Sequence, residues 1–191
     1  MSFPYHPKTT ACLQFTPVHR APHASRALAD SLLGGAPGMI DLDLLVGYPR
    51  RVGQKLFNSV SLVAPDGTTV YTYDKTFLYE ADETWAEEGS GFTCVEVIGL
   101  GKVGPGICMD INPYRFAAPF EDYEFATFQA QSAATILPLS MAWILPDDEP
   151  PGDSASVGTV KYWALRMRPV VEAKEDVLVI AANRTGSENV A

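Results

Sequence analysis

The sequence predicts an α/β sandwich. Three observations carry that expectation: apolar runs of strand length alternate with stretches of helical period, the breaks between them are short and rich in Gly, Pro and Asp, and no repeat or low-complexity tract interrupts the series. With 191 residues, 47% hydrophobic and 19% charged, the chain has the composition of one soluble globular domain with a sizeable core.

The elements follow in order. Residues 10–17 read as a first strand, and residues 22–35 as a helix with apolar residues at helical spacing that stops on Gly34-Gly35. Residues 41–49 read as a second, buried strand. The runs 57–64 and 68–75 alternate and are rich in Val, Thr and Tyr; Pro65-Asp66-Gly67 between them supplies turn chemistry, so the pair predicts a β-hairpin. Residues 91–99 and 102–110 read as two further strands, 119–134 as a helix and 134–140 as a strand. Residues 156–176 have helical period, and Pro169 must kink or end that helix because it lacks an N–H and clashes with the preceding turn. Residues 176–183 close the series as a strand. The Pro/Gly-rich stretch 147–158 predicts a surface loop rather than a linker, so residues 1–191 read as a single domain.

Bulk properties exclude several classes. The formal net charge is -9 and no cluster of Lys and Arg occurs, so the electrostatic footprint of a nucleic-acid or anionic-membrane binder is absent. The three cysteines, Cys12, Cys94 and Cys108, lack metal-type spacing, and the three histidines, His6, His19 and His23, lie apart from Cys94 and Cys108 near the N-terminus; neither a disulfide framework nor a zinc site is expected. The first residues lack the basic start and apolar stretch of a signal peptide, and no run approaches a membrane span. The expected address is cytoplasmic or nuclear, where thiols stay reduced.

Chemistry concentrates at three strand ends, where α/β layers place their sites. Gly106-Ile107-Cys108-Met109-Asp110 brings a thiol to the end of an apolar strand, where a thiolate could attack a carbonyl and nearby backbone N–H groups could hold the oxyanion. A lone cysteine is more often a small buried hydrophobe. Lys75 leaves the hairpin ahead of the acidic segment Glu80, Asp82, Glu83, Glu87 and Glu88; a lysine beside a thiol stabilises its thiolate, whereas a solvated charge run is the plainer alternative. Asn183-Arg184-Thr185-Gly186 ends the last strand and fits an ordinary strand stop.

In their order and wording these motifs resemble the nitrilase superfamily of carbon-nitrogen hydrolases, whose sites use a Glu-Lys-Cys triad. In that family the lysine sits in a Tyr-Arg-Lys-x-His-Leu segment, the cysteine in Gly-x-x-Cys-x-Asp, and a late strand ends in Asn-Arg-x-Gly. Tyr73-Asp74-Lys75-Thr76-Phe77-Leu78, the Cys108 segment and Asn183-Arg184-Thr185-Gly186 match in sequence. The stretches 107–125, 137–143 and 179–186 look like the protein N-terminal amidase branch, which deamidates N-terminal Asn and Gln of proteins in the N-degron pathway. The resemblance implies a nitrilase-like α-β-β-α sandwich, Cys108 as nucleophile, Lys75 and the Met109 N–H as oxyanion donors, and a supporting glutamate after the lysine, for which Glu83 is the preferred match among its acidic neighbours. Asp110 is a candidate for pairing with a substrate α-ammonium, against a turn-stabilising role, and Trp143 for walling the pocket, against a core role.

The resemblance also breaks in one place. The triad's glutamate normally lies in a Leu-Pro-Glu motif ending the second strand, but here residues 40–46 look like the start of that strand and residues 46–51 like the end of the third. Near residues 43–47 the motif, its loop and the intervening helix are absent, and the C-terminal strands of the superfamily are missing too, so the sandwich is expected to be incomplete and the chain impaired. Two rival readings remain: another member of the superfamily acting on small ω-amides, or a pseudoenzyme or interaction protein. No cofactor is implied, since Cys-Lys acyl transfer needs none and the glycines of 99–106 lead into a strand rather than a helix. Monomer or homodimer is undecided.

Overall fold

The computed structural model describes residues 44–64, 66–144, 157–173 and 176–184. The expected strand 10–17, helix 22–35 and most of the loop 147–158 lie outside the described residues, as do Cys12, the histidines and Thr185-Gly186.

Two sheets face each other. β1 (Leu44–Val52), β2 (Lys55–Val63) and β3 (Thr69–Asp74) form an antiparallel sheet in that order. The second contains β4 (Val95–Val97), β5 (Gly101–Val103), β6 (Gly106–Ile107), β7 (Ile136–Met141) and β8 (Leu178–Asn183). Its centre is β7, with β5 and β6 parallel to it as successive pieces along one side, β8 parallel along the other, and β4 antiparallel to β5. Helices α1 (Glu124–Gln131), α2 (Val157–Arg166) and α3 (Arg168–Glu172) accompany this sheet.

Burial orders the layers. Val60 and Tyr73 of the first sheet meet Ile107 of the second, and Leu62 meets Val97 and Val103, with Leu45 packed against both groups. Leu137, Leu139 and Met141 pack instead with Phe125 and Ala126 of α1 and with Met167 and Val170. Strand alternation explains the division: successive residues of β7 point to opposite faces, so one set enters the helix layer while Ile136 enters the space between sheets. Three layers, sheet, sheet and helix, are therefore described.

Several elements differ from the sequence expectation. Residues 91–99 yield only β4, and 102–110 is interrupted at Gly104-Pro105. Pro105 at the break has no N–H to give the ladder, and the segment is closely packed: a Cβ on Gly104 would stand 2.1 Å from Gln129 Oε1 of α1, and one on Gly106 2.9 Å from Leu139 and the Phe125 ring. Pro138 sits in the central strand at little cost. The Gly104 N–H donates to Ile136 O at 2.9 Å, so the backbones of 136, 138 and 140 face β5 and β6, and the N–H that proline lacks falls opposite the interruption. The expected helix 119–134 divides into a 3-10 turn Phe120–Asp122 and α1, separated by Tyr123 in a left-handed conformation at φ 45°. The helix 156–176 breaks at Met167, with Pro169 in the first turn of α3, a position where the missing N–H is harmless. The hairpin β2–β3 forms as expected. β1 runs past residue 49 to Val52 in unbroken register with β2, and Pro49 is tolerated because β1 is an edge strand among the described residues.

One buried cation ties the helix layer to the chain beyond β6. Arg166 is 1% exposed; its Nε donates to Ile111 O at 2.6 Å, its other nitrogens to Phe120 O and Glu124, and its guanidinium lies over the Phe120 and Tyr123 rings. Removing it orphans two carbonyls and a carboxylate. Arg166→Ala is expected to lower stability by about 3 kcal/mol, read as a lower urea midpoint at unchanged slope; a loss under about 1 kcal/mol would contradict this account of the strap.

Candidate active site

β6 delivers Cys108 as the first residue of a 3-10 turn, Cys108–Ile111. Its φ of 40° lies in the left-handed region, which a side chain with a Cβ holds only when its surroundings enforce it. The enforcement comes from both flanks: the Ile107 N–H donates to Asp110 Oδ2 at 2.8 Å, and the Asn112 N–H to Met109 O at 2.9 Å. The backbone N–H of Ala142, just after β7, lies on the side of the thiol. Burial pushes the Cys108 thiol above its ordinary value; the Ala142 N–H and the Lys75 charge pull it back, while Asp82 and Asp110 push it up.

Lys75 follows β3 directly and is 3% exposed. Its Nζ donates to Asp82 Oδ2 at 2.5 Å. A buried ion pair stands only if the remaining lone pairs are also answered. Asp82 receives two further donors, Asn58 Nδ2 at 3.0 Å and the Tyr79 N–H at 3.1 Å. This corrects the choice of Glu83 as the lysine's carboxylate: the short 3-10 turn Asp82–Thr84 turns Asp82 inward and leaves Glu83 exposed, 4.0 Å from Arg115. Glu80, Glu87 and Glu88 are exposed as well.

Asp110 has no solvent exposure and accepts from four groups. Oδ1 takes the N–H of Thr76 at 3.1 Å and of Phe77 at 2.9 Å; Oδ2 takes the N–H of Ile107 at 2.8 Å and the Tyr73 hydroxyl at 2.9 Å. A carboxylate has about four lone-pair positions, so the expected pairing with a substrate α-ammonium is corrected to a local, turn-fixing role. Burial pushes this carboxyl up to about 6, against the pull of the Phe77 and Ile107 N–H groups, the Tyr73 hydroxyl and the Lys75 charge. Because the Tyr73 proton goes to Asp110, Thr76 Oγ1 donates to Tyr73 at 2.8 Å.

The Met109 side chain is buried, which leaves only its backbone for an oxyanion; N–H groups in the first turn of a helix have no partner within it. Trp143 is half-buried, with its ring 5.6 Å from both Tyr162 and Trp163. Its backbone is held by Asn183, whose Oδ1 accepts the Trp143 N–H at 2.8 Å and whose Nδ2 donates to Trp143 O at 3.4 Å. Sequence reasoning placed Asn183 in a strand-end motif without its hold on Trp143, took Asp82 only as one of the acidic neighbours of Lys75, and missed Asn58. Among the described residues, the carboxylates whose charge reaches Cys108 are Asp82 and Asp110, both already engaged, and no cluster of His, Cys, Asp or Glu could hold a metal ion.

A paired sheet with thiol, ammonium and carboxylate at neighbouring strand ends points to the class: the chain has the fold of the carbon–nitrogen hydrolase superfamily. Within it, the chain is similar to the protein N-terminal amidase of Schizosaccharomyces pombe, at 36% identity over 162 residues, covering 76% of this chain and 57% of that protein. The chain thus spans little more than half the length of that relative. Crystal structures of N-terminal amidase with Gln-Val and Asn-Glu peptides each superpose at a TM-score of 0.53 and 27% identity, covering 78% of this chain and 37% of theirs. A carbon–nitrogen hydrolase from Helicobacter pylori G27 shares the fold at a TM-score of 0.61 and 19% identity, over 88% of this chain and 53% of that one. No protein-family model matches the chain.

Two outcomes test this geometry. Asp82→Ala is expected to cost roughly 3–5 kcal/mol by stranding a buried ammonium, while Glu83→Ala changes stability by less than about 0.5 kcal/mol; equal urea midpoints for the two variants would reject the pairing. Because its thiol is raised, alkylation of Cys108 should climb about tenfold per pH unit from pH 7 to 8.5. A plateau below pH 8 would mean the thiolate is already the stable form.

Proposed function

We propose that this chain carries the fold of an amidohydrolase that releases ammonia from the side-chain amide of N-terminal Asn or Gln in peptides and proteins. The observation that carries the reading is the buried Lys75–Asp82 pair set close enough to Cys108 to act on its thiol, in a chain similar to N-terminal amidases. Cys108 Sγ would bond to the amide carbon while the carbonyl oxygen, now negative, is held by Lys75 and the Met109 N–H. Collapse of that intermediate breaks the C–N bond; the thiol proton leaves with the nitrogen as ammonia and a thioester remains. Water then hydrolyses the thioester to a carboxylate and returns the proton to sulfur.

Both proton movements need a base. The two carboxylates within electrostatic reach are committed, Asp82 to Lys75 and Asp110 to four donors, and the sequence lacks the Leu-Pro-Glu segment that supplies the base in the family. We therefore propose that this form turns over slowly, and that Asp43 to Gly47 marks the junction where the segment is missing. The same observation favours a second reading, in which the fold binds N-terminal Asn or Gln without chemistry.

Ammonia release from Gln-Val and Asn-Glu peptides separates the two. The chain should work at least about 10²-fold more slowly than the S. pombe relative, the usual contribution of a general base. Grafting that relative's aligned segment between Asp43 and Gly47 should restore deamidation, Cys108→Ala in the graft should abolish it, and N-acetylated peptides should remain intact. A folded graft without activity would overturn the amidase assignment.

A further inference from the structure

We infer that Asp110 is a positioning residue that sets Lys75 against Cys108 by gathering donors from both turns. The inference rests on the reading of Lys75 and Cys108 as the reacting pair.

The four donors fall in a telling order along the chain. Thr76 and Phe77 are the two residues after Lys75, Tyr73 lies two before it, and Ile107 immediately precedes Cys108. The lysine turn hangs from β3 of the first sheet and the cysteine turn from β6 of the second. Among the described residues, the polar link between them is this carboxylate, beside the apolar contact of Val60 and Tyr73 with Ile107 and Cys108 and the contact of the Phe77 and Tyr114 rings. It also contributes to holding Cys108 at φ 40°, since Ile107 N–H and Asp110 Oδ2 close the start of that turn. Asparagine at this position would offer one acceptor oxygen and turn two N–H donors toward groups that are themselves donors. The ties to at least one turn must then be lost.

Charge and position make opposite demands on the thiol, which allows them to be told apart. Removing the negative charge of Asp110 alone favours the thiolate; letting Lys75 drift from Cys108 disfavours it.

The test is alkylation of Cys108 by iodoacetamide in the full chain from pH 7 to 10, read by peptide mass spectrometry with Cys94 as reference in the same samples. Asp110→Asn should move the Cys108 profile to higher pH and slow labelling at pH 8 by about three- to tenfold, as a shift of up to one pKa unit requires. In a Lys75→Met background the same substitution should leave labelling unchanged or speed it, because no ammonium remains to misplace. A residue that merely supports the fold would not show this dependence on Lys75. Unchanged or faster labelling of Asp110→Asn where Lys75 is retained overturns the inference, and so does equal slowing in the Lys75→Met chain. If Asp110→Asn unfolds the chain, seen as a jump in Cys94 labelling, Tyr73→Phe decides: it keeps the charge, removes one tie and should slow Cys108 labelling about twofold, and no slowing overturns the inference. The assay contains no amide, so failure of the peptide deamidation experiment and failure of this one are separate results.

Discussion

A carboxylate cut off from water has to be answered by donors, and the donors that answer Asp110 come from both sheets. Burying an ionised group without partners costs several kcal/mol, so the fold holds together here only where the β3 and β6 ends arrive in register with each other. Other features follow from that junction. Lys75 is buried because the turn carrying it is pinned on both sides, and once buried it needs Asp82; Asp82 in turn draws in Asn58 from β2 and the Tyr79 backbone. The cysteine turn is bound on one side to this polar cluster and on the other to the helix layer through Ile111 and Arg166. The site is therefore assembled from two sheets and a helix layer whose alignment is enforced by buried polar groups that find their partners only in this arrangement, not by apolar packing alone.

The electrostatic balance of this assembly explains why the chemistry requires a partner for the proton. Beside the thiol stand one ammonium and two carboxylates, and a thiolate would add another negative charge to a region largely closed to water. Backbone N–H groups and Lys75 are better suited to a charge that appears on a carbonyl oxygen during the reaction than to one resting on sulfur. On the proposed reading, such a site would not store an ionised nucleophile but generate one in concert with proton removal.

Much of the fold could be read from local chemistry. The hairpin of residues 55–74 announces itself by alternation around Asp66-Gly67, and Pro169 marks the helix break, because both depend on neighbours in sequence. Cys108 and Lys75 stood out through motif wording. What could not be read depends on distant packing. Which of Asp82 and Glu83 faces inward is decided by a turn of three residues, and a shift of one position separates a buried ion pair from a surface carboxylate. Asp110 looked free to meet a substrate because three of its four donors lie 33, 34 and 37 residues earlier. The close approach of α1 to Gly104 and Gly106 is likewise a contact that no local pattern encodes.

The unbroken pairing of β1 with β2 carries a consequence for which side chains face the second sheet. Side chains alternate along a strand, so every residue of β1 is committed to one face by the phase of the residues before it. Leu45, in the half that looks like a second strand, points into the space between the sheets, and Gly47, in the half that looks like a third, lies with its Cα side toward Ser140 across the same gap. The separation of two residues keeps them in phase. A register displaced by a single residue would turn Leu45 to the outside and carry Leu44 inward, so these two positions fix the phase of the whole nine-residue strand.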